Sequence, residues 1–141
     1  MERTLAIIKP DAVASGKTGA ILEHLESAGF VVRAARMAKL TTAEAKAFYV
    51  VHKGRPFYGS LCTFMTSGPC MPMVLERDNA VAHLRTVIGA TDPAEAAAGT
   101  VRKLFAESKE RNAIHASDSV ENAVREAGFF FPESELERLW G

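Results

Sequence analysis

The sequence has no excess of either charge. Its 17 lysines and arginines are balanced by 17 aspartates and glutamates, so the 141 residues carry a formal net charge of zero. Long polyanions, such as nucleic acid or an anionic membrane surface, select a basic excess, so neutrality argues against both as partners. It leaves room for one small anion, which needs only a few cations placed locally. Neutrality also weakens repulsion between copies, so a specific oligomer would be no surprise. Cysteine is scarce: only Cys62 and Cys70 are present. Two cysteines make no disulfide framework, and their C-x7-C spacing matches no zinc motif. Both read as reduced thiols of a cytoplasmic protein.

Long apolar runs are missing as well. Met1-Glu2-Arg3-Thr4 leads into only Leu5 to Ile8 before Lys9-Pro10-Asp11. That is too short for a signal-peptide core, and nothing approaches the ~18 residues of a membrane span. Repeats, linkers and low-complexity tracts are lacking too. What remains is an ordinary composition, 48% hydrophobic and 24% charged. One domain over residues 1–141 is expected. A chain of about 150 residues buries about 70% of its unfolded surface, so its core needs no staple.

Apolar spacing predicts the elements. Leu5-Ala6-Ile7-Ile8 suits a strand buried on both faces and stopped by Pro10. Ile21, Leu22, Leu25 and Ala28 recur at helical spacing, and Gly29 stands where such a helix should end. Phe30 to Leu40 reads as a second strand. Thr41-Thr42-Ala43-Glu44 is a capping box opening a helix to about His52. Pro56 to Thr66 predicts a short helix and Met71 to Glu76 a third strand, where Pro72 argues for an edge or a bulge. Val81, Leu84, Val87 and Ile88 mark one side of a helix from Asn79. Asp92-Pro93-Ala94-Glu95 carries the residues of another helix start. Thr100 to Ser108 predicts a short helix, whereas Asn112 to Ser119 shows no periodicity. Val120, Ala123, Val124 and Ala127 predict the buried stripe of a helix capped by Asp118 or Ser119 and ended by Gly128. Phe129-Phe130-Phe131 reads as the last strand. This order implies an α+β fold, a ferredoxin-like sandwich with a four-stranded antiparallel sheet and helices packed on it.

Asp11-Ala12-Val13-Ala14-Ser15-Gly16-Lys17-Thr18 matches the phosphate-cradling loop G-x-x-x-x-G-K-[ST] except at its first position. There a glycine lets backbone N–H groups converge on phosphate oxygens, whereas Asp11 brings a repelling carboxylate. An exposed turn feeding a helix is the expected reading. Among the four histidines, His24, His52 and His83 sit in helical patterns near charges, and surface roles are expected for them. None forms an H-x3-H pair, so no metal cluster is supported. His115 differs, because it lies among hydrogen-bonding side chains from Arg111 to Ser119. Eleven positions on, Glu126 sits in a helix that can run back past the loop. Such a carboxylate would orient the ring and fix its tautomer.

Asn112-Ala113-Ile114-His115-Ala116-Ser117-Asp118-Ser119 resembles the active-site signature N-x-x-H-[GA]-S-D of nucleoside diphosphate kinases. The resemblance extends in one register from residue 2 to about 136. It includes Ile8-Lys9-Pro10-Asp11, Tyr49 with Arg55-Pro56-Phe57, Phe64 to Pro69, Gly89 to Pro93, and Gly99-Thr100-Val101-Arg102. It implies transfer of the terminal phosphoryl group of ATP, or another nucleoside triphosphate, to a nucleoside diphosphate by a ping-pong route through phosphorylated His115. The residue type agrees: a reference imidazole titrates near 6.5, so roughly three quarters of such rings are neutral nucleophiles at pH 7.

The resemblance also implies the other roles. Arg85, Thr91 and Arg102 would clamp phosphates, and Lys9 would contact the transferring group or the sugar. Asn112 would bind the ribose hydroxyl, Tyr49 would line the pocket, and Phe57 would stack on the base. Glu126 and Ser117 would hold the histidine. Mg2+ would arrive on the nucleotide phosphates, with no side chain dedicated to metal. A homo-oligomer, a tetramer or hexamer built from dimers, is implied, with no membrane and no nucleic acid required. Departures from the family pattern are Lys103-Leu104 after Arg102, Lys109 at the base slot, and Arg77 for a common glycine. Two other readings stand beside the kinase: a P-loop NTPase using Lys17, and a non-catalytic nucleotide-binding module.

Overall fold

Strand β1 (Glu2–Ile8) is the axis of the molecule because its apolar run can be buried on both faces. The computed structural model describes residues 1–140. Along the chain come α1 (Pro10–Ala14), α2 (Thr18–Ser27), β2 (Val31–Ala35), α3 (Thr42–Phe48), α4 (Tyr58–Met65) and β3 (Met71–Arg77). They are followed by α5 (Ala80–Ile88), α6 (Val101–Phe105), β4 (Ile114–Ala116), α7 (Val120–Phe130) and α8 (Glu133–Trp140). The sheet order is β2-β3-β1-β4, and every pairing is antiparallel. With α2 and α5 as the crossing helices, this is the expected ferredoxin-like arrangement. None of the described helices is long and apolar enough to cross a membrane.

Alternation along β1 divides the core. Leu5 and Ile7 enter one cluster with Phe48, Tyr49, Met65, Val74 and Phe130. Ala6 and Ile8 enter another with Ile21, Leu25, Leu75, Leu84 and Ile114. Burying a Leu or Ile side chain contributes roughly 1.5–3 kcal/mol, so a strand loaded on both faces is held from both sides. The capping box forms as expected: Glu44 N–H donates to Thr41 Oγ1 and Thr41 N–H to Glu44 Oε1. Both cysteines are buried and free.

Several expectations change. Phe129 and Phe130 belong to α7, which runs through Gly128 instead of ending there. The fourth strand is β4, three residues around His115. The buried face of α7 is Ala123, Glu126 and Phe130, while Val120 and Val124 face solvent. Asp92–Glu95 forms only a turn: the Ala94 N–H donates to Asp92 Oδ1 (3.0 Å) and the Glu95 N–H to Asp92 O (2.9 Å). The alanines that follow offer no large side chain to bury, so no helix propagates. Pro72 lies in β3, an interior strand. Its carbonyl accepts from Arg36 N–H at 3.3 Å, one residue beyond the end of β2. A strand residue presents N–H and C=O to the same side, so the missing donor falls where β2 has already ended.

Arg77, one of the departures expected from the resemblance, closes the end of α2. Its Nη1 donates to Ala28 O (2.6 Å), and its guanidinium lies 5.6 Å from the Phe30 ring centre. On β3, Glu76 accepts from Arg3 (2.9 Å) and Arg33 (2.6 Å). The Arg3 hydrogen bond, followed by those of Arg33, holds the Glu76 carboxyl below its usual range. Its stabilisation is therefore present above the unfolded value of 4.5 and is lost as pH falls through the lower folded value. Glu76→Gln is expected to cost roughly 1–3 kcal/mol at pH 7. The difference from wild type shrinks in acid, as urea unfolding at pH 7 and pH 3.5 will measure.

Candidate active site

The site begins with a strained turn. Ala113 has φ +74°, and the Ile114 N–H donates across it to Asn112 O (2.9 Å). That is a γ-turn of the rare positive-φ kind. It re-aims the chain into β4, where Ile7 faces His115 in register. Alternation then sends Ile114 and Ala116 into the core shared with α2 and α5. It turns His115 to the other face, against the edges of Phe48 (5.4 Å) and Tyr49 (5.9 Å).

Glu126 comes from the buried face of α7. Its Oε1 lies 2.7 Å from His115 Nε2 and 2.8 Å from Ser117 Oγ. Burial pushes the Glu126 carboxyl up, but the hydrogen bonds and charge of His115, with Ser117 and Arg125, outweigh it and hold it below its usual range. A carboxylate only accepts, so Nε2 carries the hydrogen and Nδ1 of the neutral ring keeps its lone pair.

Cations bracket this histidine. Arg102 Nη2 donates to Ile114 O (2.7 Å), and Arg85 Nη1 to Ala116 O (3.3 Å). Arg102 is buried; burial and the nearby Arg85 charge bring its guanidinium down to about 10. Lys9 is buried at the end of β1. Burial and the Arg102 charge pull its ammonium down to about 8, against the opposing pull of Asp11 and Glu110. Arg102 Nη1 also donates to Gly89 O (3.0 Å). A Cβ at Gly89 would stand 2.6 Å from Thr100 Oγ1, and φ is +88°, so that loop requires glycine.

Beside the cations opens a cleft of about 660 Å³ lined by Lys9, Phe57, Leu61, Thr91, Lys109, Glu110 and Asn112. Phe57 is 43% exposed and available for stacking. Lys109 stands in the same cleft, so its stem can pack against a planar ligand. Asn112 Nδ2 donates to Lys109 O (3.0 Å) and Thr91 O (3.3 Å). Six buried side-chain polar atoms lack a partner among the described residues, and four belong to this neighbourhood: Tyr49 OH, Arg102 Nε, Asn112 Oδ1 and Asp11 Oδ1. Burial also raises the Tyr49 hydroxyl's titration, keeping it protonated.

The Lys17 ammonium donates to Phe105 O (3.2 Å) and does not line the cleft. Asp11 turns inward, accepting from Ala113 N–H (3.1 Å). The P-loop reading therefore has no geometry to support it. His52, expected at the surface, is half-buried between Tyr49 (6.3 Å) and Phe57 (5.1 Å). Leu61 and Glu110 were not anticipated, because a leucine in an apolar helix and a glutamate in a charged loop carry no distinguishing pattern.

The family model for nucleoside diphosphate kinase matches residues 2–136. The chain belongs to the nucleoside diphosphate kinase family. The enzyme from Chloroherpeton thalassium is 61% identical over 96% of both chains, and that from Prosthecochloris aestuarii 60% over 99% of both. A crystal structure of the Aquifex aeolicus nucleoside diphosphate kinase is 44% identical, with a TM-score of 0.93 over 95% of this chain and 97% of that one. The protein is thus a phosphotransferase acting on nucleotides, moving the γ-phosphoryl group of a nucleoside triphosphate to a nucleoside diphosphate. The family departures Lys103 and Leu104 are both exposed on α6, while Arg102 is anchored by backbone carbonyls instead.

Proposed function

We propose that His115 relays the phosphoryl group. Nδ1 attacks the γ-phosphorus of the nucleoside triphosphate, forming an N–P bond as the bond to the β,γ-bridging oxygen breaks. The nucleoside diphosphate leaves with that electron pair on its terminal phosphate. A terminal oxygen of a second nucleoside diphosphate then attacks the phosphohistidine, the N–P bond breaks, and the imidazole is restored. The observation that carries this reading is the 2.7 Å bond from His115 Nε2 to Glu126, which leaves Nδ1 as the free base. Glu126 and Ser117 act as positioning residues.

Lys9, Arg85 and Arg102 neutralise the charge spread over the transferring oxygens, with Thr91 as a hydroxyl donor. The unpartnered Asn112 Oδ1 suits a ribose hydroxyl, whereas Tyr49, expected to line the pocket, is buried in the core beside His115 and is not part of the cleft lining. Among the described residues no three His, Cys, Asp or Glu side chains are grouped to hold a metal. Lys9, Arg85 and Arg102 are cations, which fit anionic oxygens rather than a metal; Mg2+ carried by the nucleotide would shield the phosphate charge while these residues hold the phosphates. Residues 1–141 act as one domain, in the cytoplasm, within a tetramer or hexamer built from dimers.

Initial velocities measured against both nucleotides test the relay. Parallel double-reciprocal lines are expected, and intersecting lines would require both nucleotides to bind together. Phe57→Ala is expected to weaken nucleotide binding by roughly 1–3 kcal/mol, because stacking accepts any π-face. Titration with ATP, GTP and CTP checks this: comparable losses agree with stacking, and a loss confined to one base contradicts it.

A further inference from the structure

Asp11 stands at the position where the P-loop-like motif fails, and the phosphoryl relay above gives it no role. It is buried, only 3% exposed, although it follows a proline in the first turn of a short helix. One oxygen, Oδ2, accepts from the Ala113 N–H at 3.1 Å. The carbonyl of the same Ala113 accepts from the Lys9 N–H at 2.9 Å. The strained residue is thus gripped at both its donor and its acceptor by one corner of the chain, residues 9–11. Strained backbone persists only where its surroundings over-determine it. The turn joins three residues of the site: Asn112 precedes Ala113, His115 follows two positions on, and Lys9 holds it from across the sheet.

We propose that Asp11 is a positioning residue for the phosphoryl relay: its buried carboxylate clamps the Ala113 turn that sets His115 and Asn112, and from two residues along the chain supplies a through-space counter-charge to the buried Lys9 ammonium. This rests on the phosphohistidine reading of the site. Among the described residues Lys9 makes no ion pair within 4 Å; the charges that act on it through space are Asp11 on α1, Arg102 on α6 and Glu110 before β4. Arg102 works against the ammonium, while Asp11 and Glu110 work for it. Glu110 is exposed and engaged by Ser60 (2.8 Å), whereas the second Asp11 oxygen is buried without a partner among the described residues. Asp11 is therefore the better-insulated counter-charge.

Asp11→Asn separates the two duties, because a rotated amide still offers an oxygen to the Ala113 N–H but carries no charge. Asp11→Ala removes both. The measurement is kcat/KM for single-turnover phosphorylation by MgATP between pH 7 and 10, which reports groups of the free enzyme. Adenine does not titrate in that range. Wild-type activity is expected to fall through about 8 as Lys9 loses its proton. In Asp11→Asn that midpoint should drop by roughly one unit. In Asp11→Ala the rate should also fall roughly 10- to 100-fold at pH 7, from loss of alignment. Amide exchange at Ala113 should accelerate in Asp11→Ala and remain slow in Asp11→Asn. An Asn variant with the wild-type alkaline midpoint overturns the charge role, even if its melting temperature falls. Wild-type exchange at Ala113 in Asp11→Ala overturns the clamp. If Asp11→Ala does not fold, the Asn profile and its Ala113 exchange decide. Failure of wild-type protein to form phosphohistidine would instead sink the site reading, and the exchange data would still decide the clamp.

Discussion

His115→Gln is expected to lower kcat by on the order of 10⁴-fold or more, the scale on which an enzyme fails when its nucleophile is removed. Glutamine preserves size and leaves a donor for Glu126, so the fold should survive. Nucleotide affinity should persist, because Lys9, Arg85, Arg102 and Phe57 are untouched. Steady-state exchange between ATP and a nucleoside diphosphate, set beside equilibrium binding, measures both quantities. Substantial turnover in this variant would mean that another group carries the phosphoryl, or that none does.

Lys9→Met has the second largest expected effect, and it acts in opposite directions on activity and stability. Removing a cation aimed at developing charge costs on the order of 10²–10³ in kcat. Yet the ammonium is depressed from 10.5 to about 8 mainly by burial, so folding works against its charged form. The unfolded state binds more protons between those values, and stability therefore rises with pH across the interval. At pH 7 the penalty is fully in force, so Lys9→Met should be more stable than wild type by up to about 3 kcal/mol. That advantage should shrink as pH climbs from 8 towards 10.5. Chemical denaturation at pH 7 and pH 10 checks the sign. A variant less stable than wild type at pH 7 would contradict the picture of a charge held in place for catalysis.

The contacts of the candidate site were more legible in the sequence than parts of the fold that hold them. His115 and Glu126 were separated by a spacing that a returning helix could close, and α7 closes it to 2.7 Å. Lys9, Arg85 and Arg102 are unremarkable singly; their joint register with the family pattern singled them out. Strand β4 carries no sequence signal, because three residues, Ile-His-Ala, are too few for alternation to stand out. The aromatic run at Phe129 has the stronger strand pattern, yet it lies in α7. The real signal on α7 was a polar one. Glu126 sits on the buried face, which made Val120 and Val124 the misleading apolar pair. Asp11 stands out in the sequence as the break in a phosphate-loop pattern and as part of the Ile8-Lys9-Pro10-Asp11 match, but no local pattern announces a side chain that bonds a backbone N–H 102 positions away.

The relay itself is tested most directly by incubating the protein with γ-labelled ATP and no acceptor, then locating the label. Stoichiometric, acid-labile and base-stable label on His115 is expected. It should discharge on addition of a nucleoside diphosphate, disappear in His115→Gln and survive in Lys17→Ala. Protein that stays unlabelled while turning over, or label that persists in His115→Gln, would contradict the account.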